Sequence, residues 1–260
     1  MTLTYGSRPI DAVLFDLDDV LVPLQTPASW QWAWRPQGPL LGDRRVKAAV
    51  RRALKAWDRR RWLGLTGKSP PADLPALREH IANTLATVAG HSLPPAETEA
   101  VVRRFLHPAG EVERYADVPT TLDRLRAAGA KMGIVTPLPA ESARWLLHRC
   151  GLAESLLLGA GDGPGPVVPA RAAFRVAAEA LGTPVDRVAF VGDLFWSDVR
   201  AAARVGMAAL LLDRRDAWPK VLTGRMTTLD LLESTLAAGG SLAETDGADG
   251  DAHVDSAGGN

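Results

Sequence analysis

Several features that mark other protein classes are scarce in this chain of 260 residues. It contains one cysteine, Cys150, so no disulfide can form within the chain, which argues against a disulfide-stabilised secreted scaffold. No apolar run approaches the roughly 18 residues that a membrane-spanning helix needs. The N-terminal segment lacks both the basic start and the apolar stretch of a secretory signal peptide. These absences predict a cytoplasmic protein that does not act on a membrane.

The chain also lacks an excess of charge of either sign, because 30 Lys and Arg balance 30 Asp and Glu. This balance excludes a uniformly basic nucleic-acid-binding protein. The charges are nevertheless unevenly distributed, since no basic residue follows Arg225. Residues 237–260 are rich in Gly, Ala, Ser and Asp and contain no aromatic residue. They are therefore predicted to form a disordered acidic tail.

Apolar residues make up 47% of the chain, and over much of it they follow an alternating strand and helix pattern. Short apolar runs predict strands, and amphipathic segments that end at glycine predict helices between them. The predicted strands cover 10–15, 131–136, 187–191 and 208–212, and the predicted helices cover 120–128, 139–150, 170–181 and 197–205. This alternation is typical of an α/β fold with a doubly wound parallel sheet.

One long segment interrupts this alternation between the first strand and the rest of the sheet. It contains no convincing strand, but helical patterns occur near 43–62, 73–89 and 95–106. We therefore predict an inserted all-helical domain. The predicted domains are an α/β core at 1–22 and 115–236, the helical insertion at 23–114 and the tail at 237–260.

Polar side chains follow three of the predicted strands. Asp16 and Asp18 follow the first, Thr136 the second and Asp193 the third, with Asp198 at the start of the next helix. An isolated acid at such a position is usually a helix cap or a turn residue, and Asp198 fits that role well. Several acids at one sheet edge repel each other unless a cation lies among them, and carboxylate oxygens suit Mg²⁺. The pattern predicts a magnesium site at the carboxyl ends of the strands.

These segments resemble the motifs of the haloacid dehalogenase-like (HAD) hydrolase superfamily. AVLFDLDDVLV resembles its first motif, Thr136 after KMGIV its second, and FVGDLFWSDVRAAARVGM its fourth. The similarity covers about 9–22 and 115–215. A helical insertion directly after the first motif resembles the C1-type cap of subfamily I. The resemblance implies a Rossmann-like core that carries this cap.

The resemblance also implies a phosphatase mechanism and a role for each site residue. Asp16 would attack phosphorus and form an aspartyl-phosphate, and Asp18 would act as general acid and then as general base. Mg²⁺ would be held by Asp16, Asp193 and the backbone carbonyl of Asp18, and by Asp198 directly or through water. Thr136 would bind the phosphate. The implied substrate is a small phosphorylated metabolite. Because a dehalogenase has no leaving oxygen to protonate, Asp18 favours phosphoryl chemistry.

Two positions depart from the family pattern. The lysine of the third motif is replaced by Val168, and Arg171 is the nearest candidate to bind phosphate in its place, or else an ordinary solvated helix residue. Pro137 follows the motif-two threonine and has no N–H to donate to a phosphate. Loss of two phosphate contacts leaves an alternative open: a weak or non-catalytic relative that binds a ligand or a protein.

The helix predicted at 43–62 is strongly basic, with nine basic and two acidic residues. A solvated amphipathic helix explains this composition, and an electropositive lid for phosphorylated substrates is the functional alternative. Nucleic acid is not expected as a partner, because no recognition motif accompanies the basic run. Two variants within the enzyme class are a phosphomutase and a phosphonatase. The phosphonatase would use a lysine of the insertion, which would be Lys47, Lys55 or Lys68.

Overall fold

The computed structural model describes residues 3–24, 30, 33–34, 38, 43–65, 68–69, 74–106, 112–159 and 171–239. The strands are β1 Leu3–Tyr5, β2 Arg8–Ile10, β3 Ala12–Phe15, β4 Lys131–Val135, β5 Leu157–Gly159, β6 Val188–Gly192, β7 Ala208–Leu212 and β8 Arg225–Met226. The helices are α1 Asp43–Leu65, α2 Leu74–Ala89, α3 Pro95–Leu106, α4 Asp117–Ala127, α5 Ala140–Arg149, α6 Arg171–Ala180, α7 Arg200–Arg204 and α8 Leu232–Ala238. Nearly all the predicted elements are present, within a few residues of their predicted limits.

Six strands form the main sheet in the order β5-β4-β3-β6-β7-β8, and every pair of neighbours is parallel. Strand β3 lies between β4 and β6, so the three strands predicted to carry site residues are adjacent. The single strand predicted at 10–15 is divided at Asp11, because β2 pairs antiparallel with β1 while β3 belongs to the main sheet.

Both faces of the sheet are covered, as the fold class predicts. Side chains of successive strand residues point to opposite faces. In β3, Val13 and Phe15 join a core cluster that includes residues of α4, α5 and α8. Ala12 and Leu14 join a second cluster with Phe174 of α6 and residues of α7. The sheet is therefore doubly wound, with one hydrophobic layer on each side.

Helices α1, α2 and α3 lie between β3 and α4 in the chain, where the helical insertion is predicted. Their apolar sides pack together, and the Trp57 ring of α1 stacks on His80 of α2 with centroids 5.0 Å apart. Trp30, fully buried in the chain between β3 and α1, contacts Phe105 of α3 with centroids 4.3 Å apart. The exposed basic side chains of α1 agree with a solvated amphipathic helix, with the exception of Arg61.

Helix α8 closes the described part of the chain, and its Leu236 carbonyl accepts a hydrogen bond from the Gly6 amide in the β1–β2 turn at 3.3 Å. Residues 240–260, most of the predicted acidic tail, lie outside the described residues. Within the described ranges, no helix combines the length and the apolar character needed to cross a membrane.

Candidate active site

The site is built at the carboxyl ends of three adjacent parallel strands. Asp16 follows β3, Thr136 follows β4 and Asp193 follows β6. The Asp16 amide donates to the Val191 carbonyl at 2.9 Å, which extends the strand pairing by one residue. The Asp16 carboxylate then accepts the Leu17 amide at 2.7 Å. The strand register thus places these side chains at one sheet edge, as predicted.

Asp198 reaches the same edge from the turn that follows β6. The segment Phe195–Val199 forms a π-helical turn, and the regular helix predicted to begin at residue 197 begins at Arg200. Asp198 is completely buried in this turn, and its carboxylate accepts the Leu194 amide at 3.3 Å. Gly192 permits this approach, because a Cβ atom at that position would lie 2.7 Å from the Asp198 Cβ. This explains the glycine in the GDLFWSD segment in steric terms.

Asp16, Asp193 and Asp198 form a carboxylate cluster. Each offers one oxygen, and these oxygens all lie within 4.8 Å of one another. Burial raises the pKa of Asp16 and of Asp193, and repulsion from Asp198 raises both further. Hard oxygen ligands that repel one another this strongly fit a divalent cation such as Mg²⁺. The donor set therefore suits the predicted metal.

Asp18 lies in the loop after Asp16, and both residues line a small cavity at the carboxyl ends of the strands. The next residue, Asp19, adopts a left-handed backbone conformation with a φ of 56°. Its buried carboxylate accepts the Tyr115 hydroxyl at 3.1 Å and forms an ion pair with Arg215. These two contacts hold the unusual backbone of the loop and so fix the position from which Asp18 projects.

Thr136 is buried, and its hydroxyl oxygen accepts a hydrogen bond from the Leu138 amide at 3.3 Å. Pro137 lies between them and lines the cavity with Leu138. Because Pro137 has no N–H, the first N–H after Thr136 belongs to Leu138, and it donates to the Thr136 hydroxyl oxygen. Because that oxygen is the acceptor, the hydroxyl proton remains available for a ligand.

The insertion covers the carboxylates and encloses a cavity of about 30 Å³. Its floor is formed by core residues and contains the carboxylates beside apolar side chains, and residues of α1, α2 and α3 form a mostly apolar roof. The roof consists of Leu54, Trp57, Arg61, Leu77, Ile81 and Phe105. A cavity of this size has room for about two waters. The site thus lies in a narrow space between the core and the insertion.

Two buried charged residues of α1 join the insertion to the core, and neither was predicted. Asp58 accepts the amides of Trp196 and Ser197, at 2.9 and 2.7 Å. The Arg61 Nη2 lies 3.0 Å from Oδ1 of Asp198, and both side chains are only 1% exposed. Both residues extend the apolar stripe of α1, because they lie four residues after Leu54 and Trp57. A charge on an apolar stripe is the sequence signal that could have found them.

The positive charge of Arg61 acts on the whole carboxylate cluster. It lowers the pKa values of Asp16, Asp193 and Asp198 and so opposes the effects of burial and mutual repulsion, although all three remain raised. Burial also raises the pKa of Asp58 to about 6, against the two amides that favour its charged form. Arg61 thus partly neutralises the site from the insertion side.

The basic residues named as candidates in the sequence analysis are either exposed or have side chains outside the described part of the structure. Arg171 is the first residue of α6, but its side chain and Val168 lie outside the described part of the structure. Lys47, Lys55 and Lys68 are exposed and do not line the cavity. Lys55 instead lies 5.3 Å from the ring centroid of Trp218. The described residues thus offer no cavity lysine for a phosphonatase.

Comparison with known proteins agrees with this architecture. The sequence model of a family described as haloacid dehalogenase-like hydrolase matches residues 10–206. The chain is 26% identical over 249 residues to the haloacid dehalogenase-like hydrolase domain-containing protein 3 of Danio rerio, covering 86% of this chain and 90% of that protein.

Solved structures share the fold at lower identity. The L-2-haloacid dehalogenase of Xanthobacter autotrophicus is 20% identical with a TM-score of 0.64, over 86% of this chain and 97% of that one. A HAD family hydrolase of Deinococcus radiodurans with bound phosphate and sodium is 22% identical with a TM-score of 0.58, over 88% and 96%. Because the family match spans most of the sequence, the chain belongs to the haloacid dehalogenase-like hydrolases.

Proposed function

We propose that this hydrolase is a Mg²⁺-dependent phosphatase that acts on a small phosphorylated metabolite. The observation that carries the proposal is the carboxylate cluster of Asp16, Asp193 and Asp198 with Asp18 in the same cavity. A nucleophile, a separate acid and a set of metal ligands are what hydrolysis through an aspartyl-phosphate requires. The intact cluster gives no support to the alternative of a non-catalytic relative.

The proposed reaction has two steps that use the same two carboxylates. In the first, an Asp16 oxygen bonds to phosphorus, the ester P–O bond breaks, and Asp18 gives its proton to the leaving oxygen. In the second, Asp18 takes a proton from water, the water oxygen bonds to phosphorus, and the bond to Asp16 breaks to release phosphate. Asp18 is thereby returned to its protonated form, and the cycle consumes one water.

Asp16, Asp193 and Asp198 would hold the metal, with the Asp18 carbonyl as a further ligand. When bound, Mg²⁺ supplies positive charge that offsets the repulsion between the nucleophile and the phosphate. The Thr136 hydroxyl would donate to a phosphoryl oxygen. Because the cavity, at about 30 Å³, is far smaller than a phosphorylated metabolite, the proposal also requires the insertion to move away from the core when substrate enters.

Dehalogenation is the competing chemistry, since the fold is shared with a dehalogenase. Asp18 is the residue that separates the two, because a halide leaving group needs no proton. Asp18 lines the cavity beside Asp16, where a general acid would have to be. The position of this acid supports phosphoryl transfer.

The test is release of inorganic phosphate from an aryl phosphate and from a panel of phosphometabolites, with and without Mg²⁺. Asp16→Asn and Asp18→Asn should each lower kcat by about a thousandfold or more. Asp186→Asn, an exposed aspartate before β6, is the matched control and should retain the wild-type rate. Halide release from 2-haloacids is measured in parallel. Phosphate release that survives Asp16→Asn, or halide release alone, would refute the proposal.

A further inference from the structure

We infer that Arg61 of the insertion binds the phosphoryl group of the substrate and takes the role that the family assigns to the missing lysine at position 168. The inference rests on the proposed function, because it names a residue of the same site. It differs from the expectation for Arg171, since the cation would come from the insertion and not from the core.

The first argument is the position of Arg61. Its guanidinium lines the cavity that also contains Asp16, Asp18 and Asp193. One nitrogen, Nη2, lies 3.0 Å from an oxygen of Asp198. Arg61 therefore reaches from the insertion into the cavity that also contains the proposed nucleophile, Asp16.

The second argument is that the guanidinium is only partly satisfied. The side chain is 1% exposed, yet its Nε has no hydrogen-bond partner among the described residues. Burying an N–H donor without an acceptor is costly, and so such donors commonly mark a ligand site. The planar fork of arginine can bond two phosphoryl oxygens at once, which a lysine cannot do in the same way.

Arg215 is another arginine near the carboxylates, with a side chain that is 18% exposed, and it fits the role less well. It is ion-paired with Asp19 and lines a neighbouring pocket with Trp218. It does not line the cavity that contains Asp16. Its charge is thus used to hold the loop that carries Asp18, whereas the charge of Arg61 faces the proposed nucleophile.

The test combines phosphate affinity with kinetics in the full-length protein. Inorganic phosphate is titrated calorimetrically in saturating Mg²⁺ against wild type, Arg61→Gln and Arg61→Lys. Arg61→Gln should weaken phosphate binding about tenfold or more, because a charge-assisted bidentate contact is lost. It should lower kcat/KM by about a hundredfold, and Arg61→Lys should recover part of both losses.

Arg60→Gln is the matched control. Arg60 is the adjacent residue, its side chain is 41% exposed, and it pairs with Glu79 at 3.0 Å. This variant should bind phosphate as wild type does. Thermal unfolding shows whether each variant remains folded, and Arg61→Lys, which keeps the charge, gives the comparison if Arg61→Gln does not fold.

The possible outcomes separate this inference from the proposed function. Wild-type phosphate affinity in Arg61→Gln, or no phosphate binding by the wild type, would overturn the role of Arg61. Phosphate binding that depends on Arg61, in a protein that hydrolyses no phosphate ester, would refute the proposed function and leave the inference standing. Loss of affinity in Arg60→Gln as well would also overturn it, because the effect would then be a general one of positive charge on α1.

Discussion

Asp58, Arg61 and Asp198 are ionisable side chains that are fully enclosed where the insertion meets the core. Removing a charge from water is costly unless partners replace the lost solvent. Here Asp58 has two backbone amides, and Arg61 and Asp198 have each other. A buried set of charged residues like this contributes little to the net free energy of unfolding. Loss of one member, however, leaves its partners with an uncompensated charge or an unpaired donor. Their energetic value therefore lies in fixing one docked arrangement of the insertion.

His80 provides a prediction about pH that concerns a single side chain. Its pKa is lowered from 6.5 to about 4, mainly by burial and also by the nearby charge of Arg60. The unfolded chain therefore binds a proton between pH 6.5 and 4 that the folded protein does not, so the free energy of unfolding should fall as the pH falls through this range. At about 1.4 kcal/mol per pKa unit, the loss is at most about 3 kcal/mol.

The measurement is urea unfolding of wild type and His80→Gln at pH 7 and pH 5. The difference in stability between the two pH values should be smaller in the variant, because the group that takes up the proton is gone. His91→Gln is the control, since His91 is an exposed histidine of the same insertion. Equal pH dependence in wild type and His80→Gln would contradict the prediction.

At the scale of elements, the docking of α1 on the π-helical turn Phe195–Val199 determines whether the site is complete. The turn presents two amides to Asp58 and the carboxylate of Asp198 to Arg61. The geometry of a π-helical turn leaves its first N–H groups without partners inside the turn, so a carboxylate from another element can accept them. The insertion and the turn that carries Asp198 are thus physically joined.

Asp58→Ala tests this docking. The substitution leaves the buried amides of Trp196 and Ser197 without acceptors, which should lower the free energy of unfolding by about 3 kcal/mol. Hydrogen exchange at these two amides should accelerate in the variant more than exchange in the central strand β3. Glu97→Ala, an exposed acid in the first turn of α3, should change neither quantity. Unchanged protection of both amides in Asp58→Ala would show that Asp58 does not hold α1 to the core.

The elements also show which parts of the site could be predicted. Asp16, Thr136 and Asp193 were predictable because each directly follows an apolar strand, and neighbouring parallel strands end at one edge. The π-helical turn was not, since its sequence is that of an ordinary helix start. Arg61 was missed because its place on the apolar stripe of α1 is hard to recognise within a basic run, and tertiary docking decides which face of α1 meets the core. Strand β8 has two residues, too few for any periodic pattern.

At the scale of the whole molecule, the main sheet, the insertion and the loops between them bring like charges together at one point. Asp16, Asp193 and Asp198 are held close together, and Arg61 offsets part of their mutual repulsion. Charge balance of this kind is not visible in a net charge of zero, which sums charges from distant parts of the chain. The remaining repulsion in the cluster links folding stability to metal binding, because a cation that bound the folded cluster would stabilise the folded state.

The last prediction uses this linkage. Mg²⁺ should raise the Tm of the wild type, since a ligand at a hundred times its Kd adds about 2.7 kcal/mol to the free energy of unfolding. Asp193→Asn should abolish most of that increase. Without metal, however, the variant should be at least as stable as the wild type at neutral pH, because burial and the charges of Asp198 and Asp16 disfavour ionised Asp193. Asp186→Asn, which changes an exposed acid, should respond to Mg²⁺ as the wild type does. If Asp193→Asn destabilised the metal-free protein and kept the full response to Mg²⁺, Asp193 would be a structural residue and not a ligand, and the cluster would have to be assigned to another function.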